Sequence, residues 1–272
     1  MPAFPASDGM PVRVDLLTAA PKKSERFYRS LLGWSYRSSG EDGGEKRRVA
    51  MMQGLPVSAF LANDEEQSRW RVNFYVEDLE ETVGKARKLG AEIVQEPIAL
   101  VDGGTMAVVQ DPTGALVGLL DLPTHEAMFA AGEPGAPVWF ELVVGDNFDE
   151  AVKFYHELFG WTIDVRLQTE TEAYAIAVAE DAAFAGIALA PGNGAGWISY
   201  LGVENIGTAV NTVVDLGGEV VVPVQDTEFG PVATIVDPAG ATTILCEVPL
   251  PPEEEIRESD PLEGIDLSQF GM

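Results

Sequence analysis

The chain repeats itself, and that limits its possible folds more than any other feature. Phe27-Tyr28-Arg29-Ser30-Leu31-Leu32-Gly33-Trp34 returns 127 residues later as Phe154-Tyr155-His156-Glu157-Leu158-Phe159-Gly160-Trp161. Trp70 precedes Glu77-Asp78-Leu79 as Trp197 precedes Glu204-Asn205-Ile206, again 127 residues apart. Asp111-Pro112-Thr113-Gly114-Ala115 returns as Asp237-Pro238-Ala239-Gly240-Ala241 after 126 residues. Three landmarks in one order exclude chance similarity of a single helix, so the chain is two homologous halves. With 272 residues, each half is long enough for its own core. Residues 1–123 hold the first domain, with the repeat beginning near residue 10. Gly and Pro punctuate a linker over 124–136, the second domain covers 137–249, and 250–272 form an acidic C-terminal arm. Ile256, Leu262, Ile265 and Phe270 give that arm apolar docking points.

Within each half the hydrophobic period alternates between two and about 3.6. Val12, Val14 and Leu16 make one face of a strand and Arg13 and Asp15 lie on the other. A helix over Ser24–Leu32 stops at Gly33, and strands follow around Arg48–Met52 and Val57–Ala62. A second unit opens with the strand Arg71–Val76, continues with a helix over Leu79–Leu89 and ends in strands at Glu92–Glu96, Met106–Gln110 and Ala115–Leu120. Each half is therefore two βαβββ units, and the second half repeats the plan with helices near Phe148–Phe159 and Ile206–Leu216. Asp111-Pro112 and Asp237-Pro238 read as turns feeding a last strand, and Trp34 and Trp161 as core.

Charge and composition narrow the partners. Forty-four acidic against 17 basic residues give a formal charge of −27. Such a surface repels phosphate backbones and anionic lipid, so no nucleic acid and no membrane is expected as a partner. No apolar run approaches the ~20 residues of a membrane helix, and the N-terminus lacks the pattern of a signal peptide. Cys246, the one cysteine, has no intrachain partner and no neighbouring base, which fits a reducing compartment and argues against a thiolate nucleophile. The expectation is a soluble, cytoplasmic monomer or homodimer. With only His125 and His156, a Ser-His-Asp triad or a histidine-rich metal centre has little material.

The order of strand, helix ending FYxxLxGW, strand from Trp to V-(E/D)-(D/N)-(L/I), helix ending in L-G, then D-P-x-G-A resembles the vicinal oxygen chelate superfamily of glyoxalases, bleomycin-resistance proteins and extradiol dioxygenases. Over residues 10–249 the chain is similar to the two-domain actinobacterial glyoxalase-like proteins loosely labelled hydroxylases. The resemblance implies an α+β fold of two tandem domains, each rolling its two βαβββ units into an incomplete barrel with a cup. It further implies a divalent metal held by a His or Gln on the first strand, a His on the strand opening the next unit and a Glu on the final strand. By position these fall on Arg13, Arg71 and Gly118 in the first half and on Trp139, Ile198 and Ile244 in the second. None is an ordinary metal ligand, so no metal and no other cofactor is expected.

What lines the cups follows from the alternation. The first cup face carries Arg13, Asp15, Arg71, Asn73 and Tyr75, either as a buried ion pair of Arg13 with Asp15 or as an arginine fork for an anionic ligand group. The second carries Trp139, Glu141 and Val143 with Ile198, Tyr200 and Gly202, plus Thr242, Ile244 and Cys246. That is the composition of a pocket for a planar organic molecule, or of plain core. Glu141 beside Trp and Ile should have a raised pKa, suited to proton transfer, unless a neighbouring Tyr holds it; Asp15 is its counterpart. The expected function is metal-free binding of a small aromatic or carboxylate-bearing metabolite or antibiotic. The alternatives are a metal-independent lyase or isomerase using Glu141 or Asp15, and a scaffold whose acidic arm contacts another protein.

Overall fold

The computed structural model describes residues 6–42, 45–63, 68–100, 103–123, 132–179, 182–227 and 230–248. His125 and most of the expected linker, and the C-terminal arm, lie outside the described residues. No helix among the described residues is long and apolar enough to cross a membrane.

The first half runs β1 (Pro11–Thr18), α1 (Pro21–Leu32), β2 (Ser35–Asp42), β3 (Glu45–Met52), β4 (Leu55–Ala62), β5 (Arg69–Tyr75), α2 (Leu79–Lys88), β6 (Glu92–Ala99), β7 (Thr105–Gln110) and β8 (Leu116–Asp121). The second repeats it as β9 (Pro137–Val144), α3 (Phe148–Phe159), β10 (Thr162–Gln168), β11 (Ala173–Ala179), β12 (Ala182–Leu189), β13 (Gly196–Val203), α4 (Ile206–Asp215), β14 (Glu219–Thr227), β15 (Gly230–Val236) and β16 (Thr242–Glu247). Strand β2 is polar apart from Tyr36, so no hydrophobic alternation marks it as a strand in the sequence.

The duplicated motifs are helix punctuation. Gly33 and Gly160 close α1 and α3 in left-handed conformations, φ 73° and 72°, each returning its N–H to the last turn. Asp78 and Asn205 open α2 and α4 by accepting the N–H of Glu81 at 2.9 Å and of Thr208 at 2.8 Å.

Each half forms one eight-stranded mixed sheet, in the orders β2-β3-β4-β1-β5-β8-β7-β6 and β10-β11-β12-β9-β13-β16-β15-β14. The opening strands of the two units meet antiparallel at the centre, and the last strand of each unit lies parallel to its own first strand. Units therefore pair within a half, not between halves. Neither sheet closes into a barrel, and each leaves a concave face.

The other face of each sheet is apolar and looks inward. Val14, Leu16, Val72 and Phe74 join Phe140, Leu142, Trp197 and Leu201 in a single core shared by both halves. Phe74 packs on Phe159, Trp161 and Trp197 with ring centroids 5.1–5.6 Å apart. Val12 is a correction to the face assignment. Pro11 pairs with Phe74 and Arg13 with Asn73, so Val12 is the extra residue of a β-bulge. The bulge turns it to the concave side, where it packs with Tyr75, Met106 and Leu120. Tyr200 pairs with Trp139 and Leu201 with Pro137, so Val138 is the same bulge repeated.

The Asp-Pro turns do more than feed a strand. Asp111 accepts the N–H groups of Thr113 and Ala115, and its second oxygen accepts Tyr155 Oη from the other half at 2.7 Å. Tyr155 in turn accepts Trp197 Nε1 at 2.8 Å. Reciprocally, Ser24 Oγ donates to Asp237 at 3.2 Å, and Tyr28 faces Asp237 and Trp70. Trp34 and Trp161 are core, and their indoles donate across the join to the carbonyls of Gly135 and Gly9 at 2.6 and 3.0 Å. The repeat thus marks the surfaces on which the halves dock.

Candidate functional site: two cups with opposite electrostatics

Strand register fixes which residues of the two cups are equivalent. In the first half Arg13 pairs with Asn73 and Asp15 with Arg71; in the second Trp139 pairs with Tyr200 and Glu141 with Ile198. Asn73 lies beside Gly118 and Tyr200 beside Ile244. Each cup therefore carries one acid at the same place on its floor, among different neighbours.

In the first cup the acid is Asp15, fully buried. Arg13 Nε stands 2.8 Å from Oδ1, and Arg13 Nη2 and Arg71 Nη2 donate to Oδ2 at 3.1 and 3.0 Å. Burial pushes the Asp15 pKa up, but the charges of Arg13, Arg71 and Arg47 outweigh that and hold it below the usual value. Asn73 Nδ2 donates to the Arg13 carbonyl at 3.1 Å. A side chain on Gly118 would overlap Asn73 Oδ1, so this strand position needs glycine for a close approach. Tyr75 belongs to the apolar cluster with Val12 and does not line the cup's recess. That recess, about 420 Å³, is walled by Arg13, Arg69, Arg71 and Asn63 with apolar residues including Leu17, Ile98 and Met106.

In the second cup the acid is Glu141, half-buried. Its recess of about 580 Å³ is lined by Trp139, Glu141, Tyr174 and Tyr200, with Val138, Val232 and Cys246 among the rest. Burial pushes the Glu141 pKa up, and hydrogen bonds from Tyr200 and Tyr174 offset that only in part. Tyr200 Oη donates to Oε1 at 3.3 Å. Burial also raises the Tyr200 and Cys246 pKa values, so both are protonated and neutral near pH 7. A Cβ on Gly186 would lie 2.6 Å from Tyr174 Oη, so the phenol lies across this glycine on the neighbouring strand.

The structure thus brings Trp139, Glu141 and Tyr200 to one recess, Arg13 and Arg71 to another, and Asp15 with Asn73 beneath the latter. Ile198 lines a different cleft, between the halves. Sequence reasoning missed Arg47 and Tyr174. Tyr174 was visible in β11, Ala-Tyr-Ala-Ile-Ala-Val-Ala, whose alternate alanines occupy the core face.

The donor set does not fit a divalent cation. Guanidiniums occupy two of the three expected ligand positions in the first cup, and Trp and Ile occupy those of the second. Among the described residues no three His, Cys, Asp or Glu side chains converge in a metal-binding group.

Comparison with known proteins agrees with the fold. Residues 12–120 match the glyoxalase-like domain family, and residues 137–245 match the glyoxalase/bleomycin resistance protein/dioxygenase superfamily. The chain is 29% identical over 242 residues to CFP32 of Mycobacterium tuberculosis, provisionally named a glyoxylase, covering 86% of this chain and 92% of that protein. It is 27% identical over 253 residues to the anthracycline biosynthesis protein DnrV of Streptomyces peucetius, covering 86% and 91%. In fold it is similar to the Mn(II)-bound glyoxalase of Novosphingobium aromaticivorans, with TM-score 0.64, 16% identity, and 88% and 82% of the two chains covered. The 2,3-dioxygenase LapB of Pseudomonas sp. KL28 gives TM-score 0.63 at 14% identity, covering 90% and 93%. Two domains of this architecture, each matched to a glyoxalase family, place the chain in the vicinal oxygen chelate superfamily as a two-domain member.

Proposed function

We propose that the second cup binds a planar, largely apolar small molecule without the help of a metal. The observation that carries this is Glu141, raised in pKa on the wall of an aromatic recess with Trp139 and Tyr200 beside it. Stacking on the indole and phenols favours a flat ring system. A carboxyl that gives up its proton reluctantly, next to a neutral phenol, favours carbonyl or hydroxyl groups on the ligand over a second anion. The similarity to a protein named for anthracycline biosynthesis supports an aromatic, oxygenated ligand of this class.

Calorimetric titration with alizarin, a planar hydroxyanthraquinone, tests the reading. We expect one site per chain, insensitivity to EDTA, and loss of at least about tenfold in affinity on Trp139→Ala. Absence of binding, or binding that EDTA abolishes, refutes it.

A second reading is favoured by the same Glu141: a metal-independent lyase or isomerase in which this carboxyl transfers a proton to or from the bound ring system. Asp15 is poorly suited to that role, because two guanidiniums hold it ionised. Under this reading Glu141→Gln retains the ligand and abolishes turnover; under simple binding no turnover exists to lose.

A further inference from the structure

We propose that the first cup is a second, separate ligand site, selective for a compact carboxylate carrying an apolar body. Arg13 is 2% exposed, yet Nη1 of its guanidinium has no hydrogen-bond partner among the described residues. Its Nε and Nη2 are spent on Asp15, which fixes the guanidinium of a residue that lines the recess. Asp15 also holds Arg71, which lines the same recess, and so acts as a positioning residue that orients two donors at once. A buried donor left unsatisfied costs about 1–3 kcal/mol, more when charged, and a bound carboxylate oxygen relieves that cost. Leu17, Ile98 and Met106 on the same wall receive an apolar body but offer nothing to a second charged group.

The duplication sharpens the assignment. At the positions of Arg13 and Arg71 the second cup has Trp139 and Ile198, so the two recesses of one fold select ligands of opposite character. One chain would then hold an anion and a neutral planar molecule on opposite sides of its shared core. This holds whether or not the second cup binds what is proposed above, because it rests on different residues.

The probe is cyclohexanecarboxylate, non-aromatic and therefore poorly matched to the second cup, compared with its neutral amide by calorimetry on the full chain. We expect the carboxylate to bind at least about tenfold more tightly than the amide. Paired replacement Arg13→Met with Asp15→Asn removes a positive and a negative charge together and should weaken carboxylate binding, Arg71 remaining as the other guanidinium of the recess. Val94 lines the mouth of the recess and is 53% exposed, so its replacement leaves the fold intact. Val94→Glu should weaken the carboxylate several-fold through like-charge repulsion and leave the amide unchanged, whereas Val94→Gln should change neither. Glu141→Gln should leave carboxylate binding as it is. Equal affinity for acid and amide, no binding of either, indifference to Val94→Glu, or loss of carboxylate binding on Glu141→Gln overturns the proposal.

Discussion

The duplication supplies an internal control for burying an acid. Asp15 and Glu141 occupy one position in two copies of a sheet, so neutralising each in turn should have different consequences. Asp15→Asn leaves Arg13 and Arg71 without the carboxylate that both contact within 3.1 Å at a site with no solvent exposure. Breaking a buried pair from one side costs about 3–5 kcal/mol. For a chain of this size about 2–4 °C in Tm follows per kcal/mol, so a fall of roughly 6–20 °C is expected. Glu141→Gln replaces a carboxylate whose charged form burial already disfavours, and its Tm at pH 7 should be unchanged or higher.

The pH dependence carries opposite signs. The lowered pKa of Asp15 makes its contribution fully present above its ordinary value of 3.8, and it is lost as pH falls below that value. The raised pKa of Glu141 makes wild-type stability decline as pH rises from its ordinary value of 4.5 through the raised folded-state value, and Glu141→Gln should remove that decline. Scanning calorimetry from pH 3 to pH 8 on the three proteins reads both effects. If Asp15→Asn melts within about 2 °C of wild type while Glu141→Gln is the larger loss, the assignment of opposite environments is wrong.

Two further outcomes follow from the packing. Tyr155→Phe strips Asp111 Oδ2 and Trp197 Nε1 of their shared partner at the join between halves, at roughly 1–3 kcal/mol for each group, measured by urea unfolding. Gly118→Ala drives a methyl into Asn73 Oδ1 on the floor of the first cup and should cost about 1–3 kcal/mol by the same assay, while the same change at Gly33 meets no atom within 4 Å and is charged only for its positive φ.

Loss of ligating side chains does not imply loss of a cup. Where a metal would neutralise ligand charge, the first cup offers guanidiniums and the second offers neutral donors with aromatic faces. Under the readings proposed above, these are two ways for one scaffold to hold small molecules without a cation, and the tandem arrangement lets them diverge independently.

The sequence alone was sufficient for the two halves, the alternation of strands and helices within them apart from β2, the glycines that stop the helices and most of what faces each cup. These are local properties: a strand alternates with period two, a helix ends at a left-handed glycine, and a repeat shows itself by identity at fixed spacing. Alternation by itself therefore assigns Arg13, Asp15, Trp139, Glu141 and Tyr200 to concave faces. It fails for Val12, because a bulge shifts parity by one residue and is set by how the neighbouring strand pairs. Nor does it reveal the convergence of Arg47 on Asp15 or of Tyr174 on Glu141, each arriving from a strand more than thirty residues away in the chain. The same holds for the Tyr155–Asp111 bond between halves, whose two residues belong to motifs that look independent in the sequence. Tertiary structure alone decided these, since a pKa sums charges over everything packed nearby, and a recess is the volume that packing leaves unfilled.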